Sequence, residues 1–151
     1  MTELIGEGGM AVVMKAENLV DSRIKRAFKI IKPEYKDRAQ FYERFTREAI
    51  VLERLRSRYL VAFHGLRHEK NQLFIELELL EGFSLDKLPS QYDHMALNTV
   101  IQWIYQAALG LAEAHEQQII HRDMKPGNLY LHQDQTIKIL DFGIIKMFSL
   151  Y

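Results

Sequence analysis

Over the first eighty residues the apolar positions come in short runs separated by turns, with one interruption of helical period. Residues 11–16 and 26–31 read as strands, and the polar run Glu69-Lys70-Asn71-Gln72 reads as a hairpin turn into a further strand at 73–80. Between them Phe41, Phe45, Leu52 and Leu55 recur at spacings of 4, 7 and 3, one face of a helix. This is a small sheet with a helix across it. Farther along, Leu97, Val100, Ile101, Ile104, Ala108 and Leu111 keep helical spacing and predict a long helix over about 94–116. Two short strands, 129–131 and 136–140, follow around the polar turn 132–135. Pro89, within Leu88-Pro89-Ser90-Gln91, is the best linker candidate, so a first part of about 80 residues is expected to hinge against the rest.

Composition narrows the class without changing this outline. The 151 residues are 48% hydrophobic and 26% charged, a globular balance. Twenty Lys and Arg offset twenty Asp and Glu, so no global field recruits nucleic acid or an anionic membrane. The chain has no cysteine, which excludes disulfides, thiolate zinc sites and Cys nucleophiles and leans toward the cytoplasm. No apolar run approaches the ~20 residues that cross a bilayer, and no basic stretch leads into an apolar one at the start. A cytoplasmic protein with no membrane segment is expected.

Four stretches carry candidate chemistry. Gly6-Glu7-Gly8-Gly9-Met10-Ala11-Val12-Val13 follows Leu4-Ile5 and leads into a strand rather than a helix. Glycines in a strand-turn-strand either let the backbone close over phosphates or simply make a hairpin turn. Ala27, Lys29 and Ile31 alternate onto one face of a strand, so Lys29 either snorkels at an edge or meets a partner. Glu48 falls between Phe45 and Leu52 in the apolar stripe of the first helix, where a carboxylate needs a cation, and Lys29 is the natural one. His121-Arg122-Asp123-Met124-Lys125-Pro126-Gly127-Asn128 has the composition of a loop and offers a base, a phosphate clamp and a metal ligand of the hard-oxygen type that suits Mg2+. Asp141-Phe142-Gly143 ends the last strand, although Asp before Gly is also ordinary turn chemistry.

Taken together and in this order, the four stretches resemble the signature set of a eukaryotic-type protein kinase domain: glycine-rich loop, strand lysine, His-Arg-Asp with a downstream Asn, and Asp-Phe-Gly. The spacings agree, with nineteen residues from Lys29 to Glu48 and eighteen from Asp123 to Asp141, and the resemblance runs from about Leu4 to Lys146. It implies an α+β kinase fold: residues 1–81 as an N-lobe built on a small antiparallel sheet with one helix, and residues 82–151 as part of a helical C-lobe. It also implies ATP and Mg2+ as cofactors. Gly6, Glu7 and Gly8 would cover the phosphates, with Lys29 on the α- and β-phosphates and paired with Glu48. Asn128 and Asp141 would hold the metal, Asp123 would orient the acceptor hydroxyl, and Lys125 would steady the γ-phosphate as in Ser/Thr kinases. Leu77 falls at the gatekeeper position, the Glu78 carbonyl and Leu80 amide would meet the adenine edge, and Val13 and Ala27 would roof the ring.

The chain departs from the family pattern in three places. Ala11 stands at the third loop glycine, Tyr130 replaces an aliphatic residue expected beneath adenine, and the chain stops ten residues after Asp141, before an activation segment. The resemblance is strongest to bacterial members, with a protein Ser or Thr hydroxyl as acceptor and an unidentified protein substrate; because the chain stops before the segment that would hold a peptide, little or no peptide phosphorylation is expected of these 151 residues. Two alternatives belong to other classes. One is a non-catalytic nucleotide-binding or interaction module. The other is a small-molecule kinase of the aminoglycoside or choline type, against which Lys125 and Asp141-Phe142-Gly143 speak. An uncovered apolar face on the long helix would call for a partner or a second copy.

Overall fold

The structure, a computed structural model, describes residues 3–35, 38–69 and 72–142. Lys70 and Asn71 of the expected turn and Gly143 of the Asp-Phe-Gly motif lie outside them. The chain forms two compact units: Met1–Glu53 with Ala62–Leu80, and Arg54–Val61 with Glu81–Tyr151.

The first unit is a five-stranded antiparallel sheet of order β1-β2-β3-β5-β4 with helix α1, where β1 is Glu3–Glu7, β2 Ala11–Glu17, β3 Lys25–Ile31, β4 Phe63–Glu69, β5 Gln72–Glu78 and α1 Ala39–Arg54. Strand alternation decides its two faces. Val13 lies opposite Lys29, and Lys29 opposite Ile75. Ala27 lies opposite Leu77, so these residues share one face of the sheet. On the other face Phe28 meets Phe74 edge-on at 6.4 Å, and Arg67 Nε donates to Glu76 Oε2 at 2.6 Å. In α1 the buried stripe is Phe45, Glu48, Ala49 and Leu52, joined by Val51. Phe41 is half-buried instead and packs on the Tyr35 ring at 4.7 Å.

The second unit joins helix α2, Leu97–Glu116, to a three-stranded antiparallel sheet of order β6-β7-β8, with β6 Gly82–Ser84, β7 Leu129–His132 and β8 Ile137–Ile139. The segment Arg54–Val61 belongs here because it pairs with β8: Ile139 N–H donates to the Tyr59 carbonyl at 2.8 Å and Val61 N–H to the Ile139 carbonyl at 3.1 Å. Trp103, Ala107, Leu131 and Ile137 form one cluster of its core, with Leu85, Leu88, Tyr92, Met95 and Leu129 packed on it.

Two expectations are corrected here. Pro89 is no linker: it sits within the second unit, between two single-turn 3-10 segments, Leu85–Lys87 and Ser90–Tyr92, and Leu88 beside it and Tyr92 pack on the α2 cluster. The buried stripe of α2 is Trp103, Ala107, Gly110 and Ala114, whereas Leu97, Ile101 and Ile104 of the predicted stripe are exposed among the described residues. A helix that is apolar on more than one side gives a period but not a choice of face. Gly110 decides that choice, since a Cβ there would come within 2.9 Å of Tyr59 Cβ and 3.1 Å of Ile139 Cδ1. No described helix is long and apolar enough to cross a membrane.

Candidate active site

In the first unit the glycine-rich stretch is the β1–β2 turn. Gly6 lies opposite Val13 and Glu7 opposite Val12, with an irregularity between Leu4 and Gly6. Gly8 N–H closes the turn on the Ala11 carbonyl at 2.8 Å, and Ala11 itself is buried. The Glu7 carboxylate meets Lys32 Nζ at 2.6 Å, which holds its pKa below the usual carboxylate range.

Lys29 reaches α1 from the middle of β3. Its Nζ donates to both carboxylate oxygens of Glu48, at 2.7 and 2.9 Å. The side chains are 13% and 4% exposed, so the pair is held within the apolar face rather than in water. At the end of β5, Glu78 donates its N–H to the Ala62 carbonyl at 2.9 Å, and its Oε1 accepts from the Ala62 N–H at 2.7 Å. The side chain of Glu78 thus fixes the strand end. Leu80, half-buried, is the last residue of this unit.

In the second unit α2 ends in a Schellman turn: Ile119 N–H donates to Ala114 O and Gln118 N–H to His115 O, with Gln118 at φ 60°. Buried Ile119 anchors the exit and delivers the chain to His121. The fully buried His121 ring then ties the 121–128 loop to the stretch after β8. Nε2 lies 2.6 Å from the Leu140 carbonyl and Nδ1 3.3 Å from the Asp123 N–H, so the tautomer with hydrogen on Nε2 satisfies both. Phe142, also fully buried, lies against this ring at 4.7 Å.

Asp123, Lys125 and Asn128 come together as a single network. Lys125 Nζ meets Asp123 Oδ2 at 2.8 Å, while Asn128 Nδ2 donates to the Asp123 carbonyl at 2.7 Å and to Oδ2 at 3.0 Å. The Lys125 hydrogen bond, ahead of that from Asn128, holds the Asp123 pKa below the usual carboxylate range. In return Asp123 raises Lys125, with smaller contributions from Asp141 and Asp86. Leu140 N–H donates to the Asn128 carbonyl at 2.9 Å, which fixes the chain just before Asp141. Arg122 and Asp141 adopt the left-handed region at φ 64° and 57°, a strain of about 1–3 kcal/mol each that non-glycine residues keep where the surroundings impose it.

Tyr130 is half-buried in β7 and its hydroxyl donates to the Gly82 carbonyl at 2.8 Å; burial raises its pKa. Three residues of consequence carried no role in the sequence analysis. His121 stood inside its motif unassigned. Gly82, at φ 149°, has room for no Cβ, which would lie 2.0 Å from the Leu131 carbonyl, and no local pattern marks it. Lys32 lies twenty-five residues from Glu7, too far apart for any spacing rule.

Comparison with known proteins agrees with this arrangement. A family model described as the protein kinase domain matches residues 1–150. The chain is 34% identical over 148 residues to the serine/threonine-protein kinase PknA of Corynebacterium glutamicum, covering 95% of this chain and 31% of that protein. It is 34% identical over 149 residues to PknD of Mycobacterium tuberculosis, covering 99% and 22%, and 33% identical over 144 residues to PknH of Mycobacterium bovis, covering 95% and 24%. It therefore spans less than a third of the length of these relatives. With a strand lysine paired to Glu48, Asp123 netted to Lys125 and Asn128, and a family match along nearly its whole length, the chain belongs to the protein kinase domain family.

Proposed function

We propose that this chain carries the nucleotide-binding and catalytic-loop portion of a Ser/Thr protein kinase, transferring the γ-phosphoryl group of ATP to a protein hydroxyl. The observation that carries the reading is the Asp123–Lys125–Asn128 network. A carboxylate held ionised by an ammonium and an amide can orient an acceptor hydroxyl and take its proton late in transfer. Lys125, already beside that carboxylate, is placed to meet negative charge on the transferred group. A non-catalytic module has no need of this network.

The donor set also suits a divalent cation. Asn128 spends its Nδ2 on Asp123, which leaves the amide Oδ1 for a metal, and Asp141 supplies a carboxylate. Two hard oxygen ligands fit Mg2+, which keeps water and phosphate as its other ligands. When bound, such an ion supplies charge neutralisation of the polyphosphate. Lys29, oriented by Glu48, supports a role on the α- and β-phosphates. The glycines support close approach of a ligand, because the fold itself does not demand them: a Cβ on Gly8 would come no nearer than 3.5 Å to its surroundings, and one on Gly9 would meet nothing within 4 Å. Val13, Ala27 and Leu77, on the Lys29 face of the first unit, are the residues proposed to meet the base. A cytoplasmic setting, where ATP and Mg2+ are found, belongs to the same proposal.

Calorimetry of ATP binding with Mg2+ and with excess chelator tests the metal-dependent part; equal affinity in both would sink it. Radiolabelled phosphate transfer to Ser/Thr peptides, with Asp123→Asn as control, tests the chemistry. Transfer that survives this substitution would remove Asp123 from the mechanism.

A further inference from the structure

The glycine-rich turn is gripped by a residue that the family motifs do not include. Lys32, the first residue after β3, reaches the turn twice: its main-chain N–H donates to the Met10 carbonyl at 2.9 Å, and its Nζ donates to Glu7 Oε1 at 2.6 Å. Glu7 ends β1 and Met10 lies in the turn, so one residue holds both the incoming strand and the tip. Its side chain is 18% exposed against 58% for Glu7, which leaves the ammonium shielded on the sheet side while the carboxylate comes to it from the loop. Lys29 lies three residues earlier on the strand that Lys32 follows, fixed there by Glu48. The turn and the phosphate lysine therefore share one mount.

We propose that Glu7 and Lys32 are a positioning pair that sets the glycine-rich turn relative to β3 before nucleotide arrives, so that ATP meets a loop already ordered. This rests on the nucleotide reading above. A loop ordered in advance spares the entropy of fixing it on binding, so loosening it weakens affinity without removing a ligand contact. Both groups carry their charge at neutral pH, since each shifts the other's pKa in the direction that keeps it ionised.

Charge alone and positioning predict opposite signs for one substitution. Glu7→Gln removes a negative charge from a turn proposed to cover a polyphosphate, so by simple Coulomb attraction ATP should bind more tightly. If the pair positions the turn, ATP should bind more weakly, by up to about fivefold, the size expected for a partly exposed ion pair.

The experiment measures Mg-ATP affinity by calorimetry on the full chain, and amide hydrogen exchange at Lys32 without nucleotide. It compares the unaltered protein, Glu7→Gln and the exchanged pair Glu7→Lys with Lys32→Glu. Expected are weaker binding and faster Lys32 exchange in Glu7→Gln, with both largely restored in the exchanged pair. Unchanged or tighter binding in Glu7→Gln overturns the proposal alone. Failure of the unaltered chain to bind Mg-ATP overturns the nucleotide reading and this proposal with it.

Discussion

The two units keep their charged groups under opposite conditions. In the first, Lys29 and Glu48 meet inside the apolar contact of β3 with α1, where neither can be lost without leaving the other in poor surroundings. In the second, Asp123 and Lys125 are 35% and 56% exposed, so water can replace either partner. The function proposed above uses both sets. The difference is that the first unit buries its ion pair, so those charges bear on stability, whereas the second holds the 121–128 loop through buried His121, Asn128 and Phe142 and leaves the Asp123 and Lys125 charges in contact with water.

Lys29→Met should break this comparison hardest. Removing one member of a buried pair costs ~3–5 kcal/mol, and the slight exposure of Lys29 places the expected loss toward the lower end. Urea denaturation of Lys29→Met, Glu48→Gln and the double variant measures it. The double variant should recover part of the loss, because it also removes the buried carboxylate charge that Lys29 offsets. Strictly additive losses would show that the pair contributes no coupling.

Asp123→Asn should show the opposite behaviour. Phosphate transfer should fall by about 10²- to 10⁴-fold, the usual contribution of a positioned acid or base. The melting temperature should fall only slightly, because the amide keeps its place beside Asn128 and the lost ion pair is largely solvated. A large drop in melting temperature would mean that the catalytic loop is built on its charges after all.

How much of this was legible in the sequence follows the same division. Lys29 and Glu48 stood out because a charge at an apolar position of a strand and of a helix breaks a local pattern. Asp123, Lys125, Asn128 and Asp141 stood out as polar residues with Pro and Gly between short apolar runs. What stayed hidden is set by contacts distant in sequence. The inward face of α2 depends on Gly110 meeting Tyr59 and Ile139, and the place of residues 54–61 depends on pairing with β8. The role of His121 needs Leu140, and that of Lys32 needs Glu7.

Gly82→Ala sharpens the comparison from the backbone side. Gly82 sits at φ 149°, and a Cβ would lie 2.0 Å from the Leu131 carbonyl, so β6 must shift away from β7. A loss of about 2 kcal/mol is expected by thermal or urea denaturation, the middle of the range for an imposed strained conformation. The Tyr130 hydroxyl would lose its Gly82 carbonyl in the same movement. Wild-type stability in this variant would show that β6 adapts and that the second unit tolerates backbone change as readily as charge change.

The smallest effect should lie in the pH dependence of the Asp123–Lys125 pair. Asp123 has its folded-state pKa lowered, first by the Lys125 hydrogen bond. Its contribution is therefore complete above the ordinary carboxylate value, near about pH 4, and is lost as pH falls through the lower folded value. Lys125 is raised by Asp123, so its contribution is complete below the ordinary lysine value, near about pH 10, and is lost as pH rises through the higher folded value. Between those limits stability should be level with respect to this pair. The Glu7–Lys32 pair gives limbs of the same sign, so the comparison must be made between the unaltered chain and Asp123→Asn, which keeps that first pair intact. Denaturation midpoints followed from neutral to below about pH 4 should fall slightly less in Asp123→Asn than in the unaltered chain, and added salt should shrink the difference because both groups face water. Identical acid limbs would mean that Lys125 does not hold Asp123 in solution, and the ammonium would then be free to serve the transferred phosphate alone.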